Sequence, residues 1–299
     1  MPAAQRDLIL AELDPPFTVL QPVEQKAPFV FCSPHSGRTY PAHFLEQARL
    51  DAKSLRKSED SFVDDLFAHV ARLGAPLLAA RFPRAYLDVN REPYELDPAL
   101  IQGPLPDYAN TQSARVAGGL GTLARLVADG EEIYRSKLPL ATALTRVETL
   151  YHPFHTMLAE LIERTRQTFG YAILIDCHSM PSASMAHQAG SRPDFVLGDR
   201  FGASCNDRLT MFTRSALTRL GYDVHLNRPY AGGHITEHYG RPARGVHALQ
   251  IEINRGLYMD ESSLTPTASF EGLRSDLEHL CARLFFELPS LIAERAAAE

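Results

Sequence analysis

Three histidine- or carboxylate-bearing stretches of this chain hold the residue types that bind a divalent cation, and a fourth offers a base. His178 ends the apolar run of Tyr171-Ala-Ile-Leu-Ile-Asp-Cys-His-Ser-Met-Pro-Ser182, and His35 follows Pro28-Phe-Val-Phe-Cys-Ser33 in the turn Pro34-His-Ser-Gly37. Both therefore stand at the carboxyl end of an apolar strand, where ligands collect in open α/β sheets. Asp60 lies at helical spacing from Val63 and Phe67, on what reads as the buried stripe of a helix over Leu55–Leu73. A buried carboxylate needs a cation partner, and a metal ion would serve. Glu59 beside it is the alternative ligand, and Asp64 a candidate supporting group. Glu252 falls inside the apolar alternation His247-Ala-Leu-Gln-Ile-Glu-Ile-Asn-Arg255. There it is either a structural partner of Arg255 or a general base held near a metal. Two histidines and a carboxylate from separate elements suit a catalytic zinc, in which three protein ligands leave one position open. Each residue also has a plainer reading: a turn histidine bonded to backbone, an acid capping a helix behind Ser58, a buried ion pair.

A second cluster has the chemistry of anion binding. Arg81, Arg84, Asp88, Asn90 and Arg91 gather around Ala85-Tyr-Leu-Asp-Val-Asn90, which reads as a strand. Guanidinium forks grip carboxylates bidentately, although surface ion pairs with Glu92 or Glu95 would use the same groups. Arg228-Pro-Tyr-Ala-Gly-Gly-His234 reads as a flexible loop whose Tyr230, His234 and His238 could reach over a substrate. His152 and His155 flank Pro153 and read as core or hydrogen-bonding residues sooner than as a metal pair. Cys177 adjoins His178, but neighbouring strand side chains point to opposite faces, which disfavours a thiol–imidazole dyad.

Positioning these groups requires strands alternating with helices, hence an α/β layered fold with a largely parallel or mixed sheet. The 299 residues, 45% hydrophobic and without a linker or repeat, read as one catalytic domain. Residues 1–27 form an entry segment in which Pro15, Pro16 and Pro22 forbid a long helix. Residues 92–130 read as a surface excursion or lid, and 267–297 as a C-terminal helix. A long helix over Leu138–Phe169 should be interrupted near Pro153. The net charge of -6, with Lys and Arg dispersed, argues against nucleic acid. There is no membrane-spanning or signal-like segment, and four scattered cysteines read as reduced thiols, so a cytoplasmic protein is expected.

Six blocks taken together carry more. Ser33-Pro-His-Ser-Gly-Arg-Thr-Tyr-Pro41, Ser58-Glu-Asp60 with Val63-Asp64, Pro83-Arg-Ala-Tyr-Leu-Asp-Val-Asn-Arg91, Asp176-Cys-His-Ser-Met-Pro181, Asn227-Arg-Pro-Tyr-Ala-Gly-Gly233 and Gln250-Ile-Glu-Ile-Asn-Arg255 occur in this order. They resemble the N-formylglutamate amidohydrolase family. The resemblance implies a three-layer α/β/α fold like that of zinc carboxypeptidases and aspartoacylase. It implies His35, Asp60 and His178 as ligands of one zinc, or another divalent metal, per chain. It implies Glu252 as general base, Arg84 at the oxyanion, and Asn90 with Arg91 on the substrate carboxylate, and in the mechanism that follows Arg255 would join Arg91 in selecting an anionic product. The implied reaction converts N-formyl-L-glutamate to formate and glutamate, a step of amino-acid degradation. Another N-acyl amino acid or a short peptide with a free carboxylate is the alternative substrate, and a non-catalytic anion-binding protein the alternative function.

Overall fold

The structure, a computed structural model, describes residues 2–127, 130–185 and 192–296. Seven strands form the main sheet: β1 (Phe17–Leu20), β2 (Phe29–Ser33), β3 (Leu77–Ala80), β4 (Ala172–Met180), β5 (Phe195–Gly198), β6 (Val224–Leu226) and β7 (Val246–Asn254). Their order is β1-β3-β2-β4-β7-β5-β6. The pairs β2/β4, β4/β7 and β5/β6 are parallel and β5/β7 is antiparallel. This mixed, largely parallel sheet flanked by helices is the expected α/β architecture.

The chain groups into two compact units. The first comprises Met1–Thr18, Pro34–Ser61 and Ala79–Ala159, the second Val19–Ser33, Phe62–Leu78 and Glu160–Glu299. In the second, every residue of β4 is buried, and alternation sorts its side chains. Ile173, Ile175 and Cys177, with Leu249, Ile251 and Ile253 of β7, join one apolar core. The helix Phe270–Ala296 supplies that core with Leu273, Leu277, Leu280, Leu284 and Leu288 at helical spacing. Each such leucine contributes about 1.5–3 kcal/mol on burial. The opposite face changes character along the strands: Leu174, Asp176, His178 on β4 and Ala248, Gln250, Glu252 on β7. Polar groups thus concentrate at the carboxyl ends.

The first unit is built around a buried cation. Arg146 lies 3.8 Å over the Tyr86 ring and donates to the Tyr134 hydroxyl at 2.7 Å and to the Tyr86 carbonyl at 3.1 Å. Its helix, Leu140–Arg146, passes through a π-helical turn, Val147–Tyr151, into the helix His152–Phe169. The interruption expected near Pro153 is therefore a π turn ending just before it. A second helix, Pro2–Leu13, occupies the entry segment. It fits because the chain's first breaker after it is Pro15.

Three local expectations change. The helix over Leu55–Leu73 is instead three short helices, Ala52–Arg56, Val63–Phe67 and Val70–Leu73. Phe62, at φ 66° in the left-handed region, ends continuity between the first two, and the Ser58 hydroxyl donates back to the Leu55 carbonyl rather than capping a helix. Ala85–Asn90 is turned rather than extended, because Tyr86 N–H and Leu87 N–H both donate to Pro83 O. The excursion over 92–130 buries Leu96, Leu100, Ile101, Val116 and Leu123 and is pinned by Arg125 donating to Asp97 at 2.7 Å. Part of the polar loop 183–193 lies outside the described residues.

Candidate metal centre and active site

Ligand atoms of His35, Asp60 and His178 all lie within 4.8 Å of one another, and the three residues are buried. Among the described residues no other such group of three occurs. His35 leaves β2 in a tight turn that needs Gly37: a Cβ there would stand 2.0 Å from the Phe82 carbonyl oxygen. The His35 carbonyl accepts the Asp60 N–H at 3.0 Å, so Asp60 is placed by this backbone contact and not by a helical stripe.

Glu59 is committed elsewhere. Tyr40 Oη donates to its Oε1 at 2.7 Å, Ser61 Oγ to its Oε2 at 2.8 Å, and Arg56 Nε to both oxygens. Burial and this carboxylate push the Tyr40 hydroxyl well above its ordinary range, so it stays a donor. Of the two adjacent acids, Asp60 is the one grouped with the histidines.

Each histidine is oriented by a carboxylate. His35 Nε2 lies 2.7 Å from Asp88 Oδ1, and His178 Nε2 lies 3.0 Å from Asp176 Oδ1. With Nε2 turned to a carboxylate in both rings, Nδ1 is the ring nitrogen that would ligate a cation. His35 Nδ1 is 3.4 Å from Asp60 Oδ2. Bonds of about 2.1 Å to a tetrahedral zinc give ligand separations of about 3.4 Å, so the His35–Asp60 pair is spaced as two ligands of such an ion, with all three donors within 4.8 Å.

The anion-binding cluster is largely spent on Asp88. Arg84 Nη2 donates to Asp88 Oδ2 at 2.9 Å and Arg91 Nη2 lies 3.5 Å from the same oxygen. Burial alone would raise the Asp88 carboxyl; Arg91, His35 and Arg84 outweigh it and hold it well below the usual carboxylate range. Arg91 also donates to Leu120 O and Asn90 O, each at 2.8 Å, while the Asn90 N–H donates to Asp88 Oδ1. His155 Nε2 donates to the Val89 carbonyl at 2.8 Å, a hydrogen-bonding histidine as the sequence indicated.

Glu252 pairs in register with His178 across β4/β7, and Gln250 with Asp176. Arg255 donates to Ser179 Oγ at 3.1 Å. Tyr230 packs on Met180 and Val196. His234 opens the helix His234–Tyr239, stacked on His238 with centroids 5.3 Å apart, so both sit on a helix and not in a flexible loop. Cys177 faces the apolar core, and burial pushes its thiol well above the ordinary value.

Sequence reading missed Asp176, Gln250 and Thr236 as functional groups. Thr236 Oγ1 donates to Asp176 Oδ2 at 3.0 Å, and Gln250 Nε2 donates to Glu252 Oε1 at 2.8 Å. The signal lay in the two-residue spacings Asp176-x-His178 and Gln250-x-Glu252, which put each pair on one strand face.

The mixed sheet and the buried His35, Asp60 and His178 define an α/β protein with a group that could hold a metal ion. A profile of the N-formylglutamate amidohydrolase family matches residues 27–259, and the chain belongs to that family of hydrolases acting on a linear amide C–N bond. It is 32% identical over 242 residues to the N-formylglutamate deformylase of Pseudomonas aeruginosa, covering 80% of this chain and 84% of that protein. With the N-formylglutamate deformylase of Pseudomonas putida it shares 30% over 273 residues, 90% and 95% of the two chains. The crystal structure of N-formylglutamate amidohydrolase from Ralstonia eutropha superposes with a TM-score of 0.86 at 38% identity, covering 90% of this chain and 96% of that one. A gene product of Agrobacterium tumefaciens, 19% identical with a TM-score of 0.63 and covering 93% and 96%, shares the fold alone.

Proposed function

We propose that this chain hydrolyses N-formyl-L-glutamate to formate and glutamate, with one zinc held by His35, Asp60 and His178. The observation that carries the reading is the buried two-histidine, one-aspartate group in a chain of the deformylase family. Zinc, when bound there, supplies a Lewis acid that polarises the formyl carbonyl and makes a water acidic. Glu252 takes a proton from the attacking water and delivers it to the departing nitrogen. The new bond joins water oxygen to the formyl carbon, the C–N bond breaks, and the electron pair leaves with the amine.

Arg84 is the donor at the developing oxyanion, where one such interaction is worth about 3–4 kcal/mol. Asn90, Arg91 and Arg255 hold the substrate carboxylates, and Tyr230 and His234 line the substrate. Arg84 donates to Asp88 and Arg255 to Ser179, the neighbour of His178. These contacts fix both guanidinium groups, so less freedom is lost when substrate arrives.

The test is metal content by elemental analysis together with formate release from N-formyl-L-glutamate. About one zinc per chain with metal-dependent release is expected. Zinc without release would move the substrate to another N-acyl amino acid. A chain that takes up no divalent metal after reconstitution would remove the mechanism.

A further inference from the structure

The segment after β6 ends in a helix that touches both sides of the chemistry. Asn227 N–H donates to Leu197 O at 2.8 Å, and Arg200 N–H donates to Ala231 O at 2.7 Å, so the segment is sewn to the end of β5. The approach is close enough to need glycine: a Cβ on Gly198 would stand 2.6 Å from the Gly232 nitrogen. The helix His234–Tyr239 is thereby fixed against β4 and β7, with Thr236 fully buried.

Two hydrogen-bond chains leave this segment. In one, the Thr236 hydroxyl donates to Asp176 Oδ2 at 3.0 Å, and Asp176 Oδ1 accepts from His178 Nε2 at 3.0 Å. In the other, Gly233 N–H donates to Gln250 Oε1 at 2.6 Å, and Gln250 Nε2 donates to Glu252 Oε1 at 2.8 Å. A backbone N–H can only donate, so Gly233 fixes which end of the Gln250 amide is oxygen. The amino group must then face Glu252.

We propose that Thr236 and Gln250 are positioning residues, through which one segment sets the ring of the His178 ligand and the carboxylate of the Glu252 base. The inference rests on the roles proposed above for His178 and Glu252. Thr236 Oγ1 also lies 3.5 Å from Gln250 Oε1, but its shorter bond is to Asp176 and that of Gln250 Nε2 is to Glu252, so their losses differ in kind. Without the Thr236 hydroxyl, Asp176 loses the group that fixes its second oxygen, and the His178 ring loosens. Groups that orient a ligating histidine are worth about 10–100-fold in metal affinity. Without the Gln250 amide, Glu252 loses its anchor while the ligands keep theirs. Misplacing a reacting group by about 1 Å costs on the order of 100-fold in rate.

The experiment compares Thr236→Val, Thr236→Ser and Gln250→Met in the full chain. Readouts are zinc affinity by chelator competition, and kcat and KM for formate release from N-formyl-L-glutamate. Thr236→Val should lose about 10–100-fold in zinc affinity, and Thr236→Ser, which restores the hydroxyl, should recover it. Gln250→Met should keep zinc affinity and KM while kcat falls by about 10–100-fold. Should Thr236→Val not fold, the Gln250→Met split still decides. Wild-type affinity in Thr236→Val, equal losses in Thr236→Ser, or unchanged kcat in Gln250→Met overturns the positioning roles alone. A wild-type chain that binds no zinc or releases no formate overturns the functional reading, and this inference with it.

Discussion

Glu252 sits opposite His178 in the β4/β7 register and accepts a hydrogen bond from Gln250 at 2.8 Å. A glutamine at 252 keeps the shape and an oxygen to accept that bond, but cannot take a proton. Glu252→Gln should therefore retain zinc and lose about 10²–10⁴-fold in kcat, read by elemental analysis beside turnover. Near-normal turnover would remove Glu252 from the mechanism. Cys177, one residue from His178, makes the opposite case. It lies on the other strand face, in the apolar core, with its thiol held protonated by burial. Cys177→Ala should leave kcat unchanged and lower stability by about 1 kcal/mol, the cost of a small cavity. All four cysteines are buried, and burial pushes Cys205 up to about 12. A thiol reagent should find them only after unfolding.

At the scale of elements, the turn after β2 carries His35, and its shape depends on Gly37. The atoms a side chain would meet there are backbone, Phe82 O at 2.0 Å and Phe82 C at 2.5 Å, which cannot swing aside. Gly37→Ala should destabilise the chain by about 3 kcal/mol or more, as overpacking does at its upper end, and should weaken zinc binding because His35 moves with the turn. Urea unfolding checks the first and chelator competition the second; a stable, zinc-competent variant would count against the close approach. What the sequence revealed of such elements follows from how local their causes are. The strands β4 and β7 were legible because alternation and apolar runs are written in consecutive residues. The break at Phe62 was not. Its apolar neighbours keep helical spacing, while Asp60 is drawn to the His35 carbonyl and Glu59 to Tyr40, Arg56 and Ser61. The turn Pro83–Asn90 read as a strand because Tyr86, Asp88 and Asn90 alternate with apolar residues. Its bonds back to Pro83 are local but leave no mark on that alternation, and the pairing of Asp88 with His35 is a long-range fact that no local pattern encodes. The candidate metal ligands lie far apart along the chain, so residue chemistry suggested a set and the family's blocks specified it.

For the whole molecule, several carboxylates are buried around the proposed chemistry. Asp60, Asp88, Asp176 and Glu252 are all buried, and no helix among the described residues is long and apolar enough to cross a membrane. Asp88 is held by guanidinium groups, and Asp176 by Thr236 and His178. Asp60 Oδ2 faces His35 Nδ1 at 3.4 Å. On the proposed function, a divalent cation held by His35, Asp60 and His178 would bind the native state, so metal binding and folding stability would be linked. A ligand at a hundredfold its dissociation constant stabilises by about 2.7 kcal/mol when it binds only the native state. Unfolding entropy of about 2.1 cal/mol/K per residue converts this to a rise of roughly 4 °C for a chain of this length. Scanning calorimetry of metal-stripped protein, with and without zinc, should show that rise. In Asp60→Asn it should shrink or vanish, because the neutral side chain ligates poorly. A zinc-independent melting temperature in the unmutated chain would remove the cation from the account, leaving its buried acids to be balanced by protein groups alone.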